Sequence, residues 1–187
     1  MLLLFRGRSE GKPMTTATKT ASRLEERFRL WDVDGNGVIE RSDLAAEADG
    51  IVSRLGAEDT ARGDALKAAY LGMFDRLAAA AGTDRMNRDQ FMEVAGREMV
   101  GSEDGFSEIV RPTLQATMDV LDTDGDGEIS RSEMRQWLDA VGVSARDSDR
   151  VFDELDTDGS GTLSASELVD AVRDYHLGRN DIPLLGG

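Results

Sequence analysis

The chain has 187 residues, with 22 lysines and arginines against 37 aspartates and glutamates, a formal charge of −15, and 40% hydrophobic residues, enough for a buried core. The acid excess argues against a nucleic-acid binder, which needs a basic face, and against docking on anionic lipid, while no apolar run approaches the ~20 residues of a membrane span. With no cysteine and one histidine, His176, disulfides, thiolate sites and multi-histidine zinc or iron sites are excluded, leaving a hard cation as the natural partner.

Residues 1–13 hold one short apolar run, Leu2–Phe5, followed rather than preceded by basic residues, so they do not read as a secretory signal. They are taken as a non-native or disordered leader, with Met14 as a plausible start, and the protein is expected in the cytoplasm. A helix is expected over 16–31, with Leu24, Phe28 and Trp31 on one face. It runs into Asp32-Val33-Asp34-Gly35-Asn36-Gly37-Val38-Ile39-Glu40-Arg41-Ser42-Asp43, and a second helix is expected over 41–55. Helices over 59–77 and 88–100 flank the stretch from Phe74 to Phe91. Gly101–Gly105 reads as the boundary between halves. A fifth helix over 106–121, started or kinked by Pro112, carries Leu114, Met118 and Leu121 into Asp122-Thr123-Asp124-Gly125-Asp126-Gly127-Glu128-Ile129-Ser130-Arg131-Ser132-Glu133. Helices follow over 131–141, with Met134, Trp137, Leu138 and Val141 on one face, and over 145–155, where Ser148 interrupts the apolar pattern of Phe152 and Leu155. The last segment, Asp156-Thr157-Asp158-Gly159-Ser160-Gly161-Thr162-Leu163-Ser164-Ala165-Ser166-Glu167, leads into a helix over 165–177 and a tail, 177–187, read as a frayed end.

The three Asp-rich segments share one pattern: oxygen-bearing residues at positions 1, 3, 5, 9 and 12, glycine at 6, and an apolar residue (Ile39, Ile129, Leu163) at 8. This is the EF-hand calcium loop. Ca²⁺ takes roughly six to eight oxygens; alternate side chains converge on it, position 7 contributes a backbone carbonyl, and position 12 closes the shell. The candidate ligands are Asp32, Asp34, Asn36, Val38, Glu40 and Asp43; Asp122, Asp124, Asp126, Glu128, Ser130 and Glu133; and Asp156, Asp158, Ser160, Thr162, Ser164 and Glu167. Asp43 is one methylene shorter than glutamate, reaches an ion through one oxygen, and leaves Asp32–Asp43 open to competition from Mg²⁺. A fourth unit falls between the first and second of these loops. Counting back from Met86 as position 8 puts Ala79 at position 1 and Gln90 at position 12, whereas counting forward from Phe74 puts Ala78 first. Its loop is one residue too long, and alanine stands for the first oxygen either way, so this hand is degenerate.

The expected fold is all-α: four helix-loop-helix units in two pairs, 14–100 and 106–176, packed into one compact globule, with three Ca²⁺ per chain. No nucleophile–base pair or phosphate-binding glycine loop is present, so no enzyme is expected. His176 reads as a helix-end residue, and Trp31, Trp137, Met118 and Met134 read as core. The remaining methionines leave open a groove for a target helix. No protein target is indicated, and the chain is expected to be a monomer.

With these features the chain resembles the calerythrin-like bacterial EF-hand proteins, relatives of the sarcoplasmic calcium-binding proteins. The likeness runs from Met14 onward: the hand order (competent, degenerate, competent, competent), the Phe28 to Trp31-Asp32 approach, Pro112, the ending Ala171-Val172-Arg173-Asp174-Tyr175-His176-Leu177-Gly178-Arg179, and Leu184-Leu185-Gly186. The resemblance implies two halves packed together, binding at hands one, three and four, and a buffering role. The alternative is a sensor that exposes an apolar groove and regulates a target protein.

Overall fold

The structure, a computed structural model, describes residues 15–140 and 143–182; the leader 1–13, Val141 and Leu184–Gly186 lie outside them. The described residues form α1 (Thr16–Trp31), α2 (Arg41–Arg54), α3 (Ala61–Ala81), α4 (Arg88–Ala95), α5 (Glu103–Ile109), α6 (Arg111–Leu121), α7 (Arg131–Ala140), α8 (Ala145–Leu155) and α9 (Ala165–His176). Four two-residue strands join them as two antiparallel bridges. In the first, β1 (Val38–Ile39) pairs with β2 (Met86–Asn87), Ile39 opposite Met86; in the second, β3 (Ile129–Ser130) pairs with β4 (Thr162–Leu163), Ile129 opposite Leu163. All four of these apolar position-8 residues are fully buried, so each bridge fastens its two hands from the core side.

Helix starts follow side-chain chemistry. Thr15, Thr60, Asn87, Ser102, Ser144 and Ser164 each accept a hydrogen bond from a backbone N–H in the first turn of the helix they precede. The ends depart from expectation in three places. First, α3 does not stop at residue 77. Ala78–Ala81 are strong helix formers and carry it on to Gly82, whose φ of 70° ends it in the left-handed region. In the three Asp-rich hands the helix stops immediately before position 1, at Trp31, Leu121 and Leu155. Second, the helix expected over 106–121 is two helices that break at Val110, because Pro112 has no N–H to give and crowds the preceding turn. α5 begins early, at Glu103, so part of the expected boundary is helical. Gly105 is required there: a β-carbon would lie 2.3 Å from the Glu98 carbonyl oxygen. Third, α4 gives way at residue 96 to a π-helical turn, Gly96–Val100.

One continuous apolar core runs through both halves. Phe91 of the degenerate hand sits 5.8 Å from the Phe28 ring and 5.7 Å, edge-on, from Trp31, which locks the second hand onto the first. Trp137, Met118 and Met134 are buried as expected. Ser148 is buried too, its hydroxyl donating to the Ser144 carbonyl at 3.1 Å. Across the halves, Arg62 donates to the Asp122 carbonyl. Arg23 of α1 reaches the carbonyls of Tyr175 and Asn180 and the Asp181 carboxylate, tying the first helix to the end of the last. Among the described residues no helix is long and apolar enough to cross a membrane.

Candidate metal centre

Each Asp-rich loop is wound by the same three backbone contacts. The position-1 carboxylate accepts from the N–H of the position-6 glycine at 3.0 Å in all three: Asp32 from Gly37, Asp122 from Gly127, Asp156 from Gly161. Position 3 accepts from the N–H of position 5: Asp34 from Asn36 (3.0 Å), Asp124 from Asp126 (3.3 Å), Asp158 from Ser160 (2.9 Å). Position 5 accepts from the N–H of position 7: Asn36 from Val38 (2.9 Å), Asp126 from Glu128 (2.9 Å), Ser160 from Thr162 (3.4 Å). Such a winding needs positive φ at position 6, and Gly37, Gly127 and Gly161 adopt 83°, 85° and 87°.

Carboxylate oxygens consequently gather. One from each of Asp32, Asp34 and Asp43 lie within 4.8 Å of one another, as do those of Asp122, Asp124 and Asp126, and those of Asp156, Asp158 and Glu167. In the first cluster Asp32 Oδ1 is buried without a hydrogen-bond partner. A carboxyl oxygen withdrawn from water needs a partner, so the donor set fits a hard cation.

The position-12 residues are held by their own helix starts. Glu133 accepts from the Thr123 N–H (2.8 Å) and hydroxyl (2.7 Å) on one oxygen, and from the Ser130 N–H (2.9 Å) and hydroxyl (2.8 Å) on the other. Burial works against its charge, yet these four donors outweigh it and hold the carboxyl at about 2. Glu167 is held the same way by Thr157 and Ser164, and the Ser164 N–H in particular keeps it below the usual carboxylate range. Both are anionic at neutral pH. Asp43, buried, caps its helix through the Glu40 N–H at 2.8 Å.

Positions 7 and 9 are placed differently. Ser130 and Ser164 turn their hydroxyls onto the position-12 carboxylates, whereas Glu40 pairs with Arg85 from the degenerate loop. Glu128 accepts from the Thr162 hydroxyl across the second bridge. Sequence reasoning passed over Thr123, Thr157 and Arg85. The signal was a threonine at position 2 of the last two loops where the first has Val33, which is exposed.

In the degenerate hand, Met86 opposite Ile39 sets position 8, and the residues that would be positions 1 to 3 on that count, 79–81, are still helical. Only residues 82–85 link the helix to the bridge, and no acidic cluster of three forms there among the described residues.

Comparison with known proteins agrees with this geometry. A family model for an EF-hand domain pair matches residues 111–173. Calerythrin from Saccharopolyspora erythraea is 39% identical over 178 residues, covering 92% of this chain and 100% of that protein. Among solved structures, a Streptomyces coelicolor calcium-binding protein, described in terms of prokaryotic calcium-mediated regulation, is 33% identical with a TM-score of 0.70, over 85% of this chain and 98% of that one. Calcium-loaded apo-aequorin from Aequorea victoria, 23% identical with a TM-score of 0.72 over 85% of this chain and 91% of that one, shares the fold.

Proposed function

This chain belongs to the calerythrin-like EF-hand calcium-binding proteins, and from that premise we propose that it is a cytoplasmic Ca²⁺ buffer holding three ions, in Asp32–Asp43, Asp122–Glu133 and Asp156–Glu167. The observation that carries the proposal is the recurrence of one wound loop in which carboxylates from positions 1 and 3 converge all three times, joined by position 12 in the first and third loops and by position 5 in the second. In each loop positions 1, 3 and 5 would supply side-chain oxygens, position 7 its carbonyl, and position 12 the closing carboxylate. Glu40, Ser130 and Ser164 at position 9 would act directly or through water. The bound ion supplies charge neutralisation; the chain supplies the winding, and the ionised Glu133 and Glu167 need no deprotonation to receive it. Asp43 offers the shortest reach of the three and makes the first loop the one where Mg²⁺ competes.

Buffering is favoured over sensing by the covering of apolar surface. Leu30 and Val33 are the large hydrophobic residues exposed among the described ones, and the two halves bury each other's remaining apolar faces. A sensor hand opens a groove on binding, whereas a buffer hand barely opens. The regulatory description of the Streptomyces coelicolor relative favours the sensor as the second reading. Calcium titration by calorimetry in millimolar Mg²⁺, run beside a hydrophobic dye, separates them. Three ions without a calcium-dependent rise in dye binding is the expected result. A fourth ion would refute the degenerate second hand, and strong dye binding with retention on a hydrophobic column only in calcium would establish the sensor.

A further inference from the structure

The two bridges share one register but place different chemistry opposite position 9. With the position-8 residues paired, position 9 of each loop faces position 7 of its partner. In the second bridge this sets Ser130 opposite Thr162, one small hydroxyl against another. In the first, Val38 lies opposite Asn87 and Ile39 opposite Met86, so the next step of the antiparallel ladder brings Glu40 to Arg85. Arg85 stands at position 7 of the degenerate loop, and the two side chains form an ion pair. Of the three Asp-rich loops only the first has an acid at position 9; the others have Ser130 and Ser164. The base that meets it comes from a hand that gathers no acidic cluster of three among the described residues.

This pair bears on the charge of the first loop. Asp32, Asp34 and Asp43 bring carboxylate oxygens within 4.8 Å of one another, and Glu40 is a fourth acid in the same loop. A guanidinium on Glu40 offsets that fourth charge and engages oxygens otherwise open to a cation or to its water. Filling the loop then requires either that Glu40 leave Arg85 or that the arginine's positive charge stay near the ion, and both work against binding. Arg41, the next residue, is itself engaged with Asp75 of α3 at 3.0 Å. The Arg85 side chain is 62% exposed, and an exposed ion pair adds little to stability, so its weight falls on the loop rather than on the fold.

We propose that Arg85 is the residue through which the degenerate hand sets the ion affinity of the first loop: it holds Glu40 in an ion pair, so that the loop meets Ca²⁺ with its fourth negative charge offset. Arg85 is a positioning residue, since it acts through Glu40 rather than on an ion. The inference rests on the reading of Asp32–Asp43 as a calcium site. It gives the second hand a role without an ion of its own, as a brake on its neighbour that leaves Asp122–Glu133 and Asp156–Glu167 untouched.

The test is a Ca²⁺ titration of the full chain against a competing chelator, followed by proton–nitrogen NMR at the amides of Gly37, Gly127 and Gly161. Each of these donates to the position-1 carboxylate of its own loop, so the three report the three sites separately. Arg85→Ala should tighten the Gly37 site by about fivefold or more and leave the other two within about twofold of the parent. Arg85→Lys, which keeps the charge, should stay within about twofold of the parent at all three. In a Glu40→Gln background, Arg85→Ala should gain no more than about twofold, because the acid it would release is gone. An unmoved Gly37 site in Arg85→Ala, with all three amides still responding, would overturn the inference and leave the three-ion reading standing. Equal tightening with and without Glu40 would overturn it too, since the arginine would then act by its charge alone. So would equal tightening in Arg85→Lys, which would trace the effect to the shape of the side chain. A Gly37 amide that responds to calcium in neither the parent nor Arg85→Ala would instead refute the first loop as a site, and the inference would fall with that reading.

Discussion

His176 gives the sharpest pH-dependent prediction. The ring is 3% exposed, its Nδ1 lies 2.8 Å from the Val172 carbonyl oxygen, and Phe106 and Tyr175 meet it edge-on. The carbonyl accepts, so Nδ1 carries the proton in the neutral ring. Burial first, then the charge of Arg27, push its pKa from 6.5 down to about 4, and neither the Val172 hydrogen bond nor any nearby carboxylate restores it. The unfolded chain therefore takes up a proton before the folded chain does. Stability from this residue is complete above about pH 6.5, falls as the pH drops towards 4, and is lost below that. A displacement of this size corresponds to about 3 kcal/mol. The assay is urea unfolding at several pH values between 7 and 4 in saturating calcium, for the parent and for His176→Gln, which does not titrate in this range. Both chains carry the same loops, so acid effects on calcium affinity cancel in the difference. The parent should lose about 3 kcal/mol relative to the variant over that span. Parallel curves would mean that His176 is not held neutral, and the reasoning would fail.

Other perturbations act on the loops and on one helix contact. Glu133→Gln and Glu167→Gln should each remove one ion from the calorimetric stoichiometry, since the amide loses an anionic oxygen and turns an NH₂ towards existing donors; a retained ion would refute the assignment of position 12. Asp43→Glu should shift the first loop towards Ca²⁺ over Mg²⁺ by adding a second oxygen, and an unchanged preference would show that position 12 does not set its selectivity. Gly63→Ala places a β-carbon 2.2 Å from the Ala57 carbonyl oxygen, a backbone atom that cannot swing aside. It should destabilise the protein by about 1–3 kcal/mol, and an unchanged melting temperature would count against the close approach of α3 to that turn.

The parts legible in the sequence were those with a short-range cause. The loop winding follows from oxygen-bearing residues at alternate positions and glycine at the sixth, and the bridges from apolar residues at the eighth. Met86 marked the true register of the degenerate hand because the partner of Ile39 must be buried. Ala78–Ala81 were harder: a loop count assumes that the helix stops where the other hands stop, while a run of alanines has no reason to stop before a glycine. The break at Val110 was announced by Pro112, but not on which side the chain would resume. Thr123 and Thr157 were invisible to a ligand count because they act on Glu133 and Glu167 rather than on an ion. Burial of Arg27 could not be read at all, since an amphipathic pattern tolerates an arginine beside its apolar stripe and only the packing of both halves covers it.

The hydrogen bond between Glu128 and Thr162 has a kinetic consequence. Both are position-7 residues, whose carbonyls would face the proposed ions, and their side chains are joined across the second bridge. Backbone movement that frees one ion there would be transmitted to the other, so departures from these two loops would be linked in time. The first loop faces across its bridge the degenerate hand, where no acidic cluster of three forms among the described residues, and Arg85 from that hand already leans on Glu40. Its ion would leave alone. A stopped-flow chelator chase should resolve two phases whose amplitudes stand as two ions to one, and three separate phases, or a single one, would show that the bridge does not synchronise release.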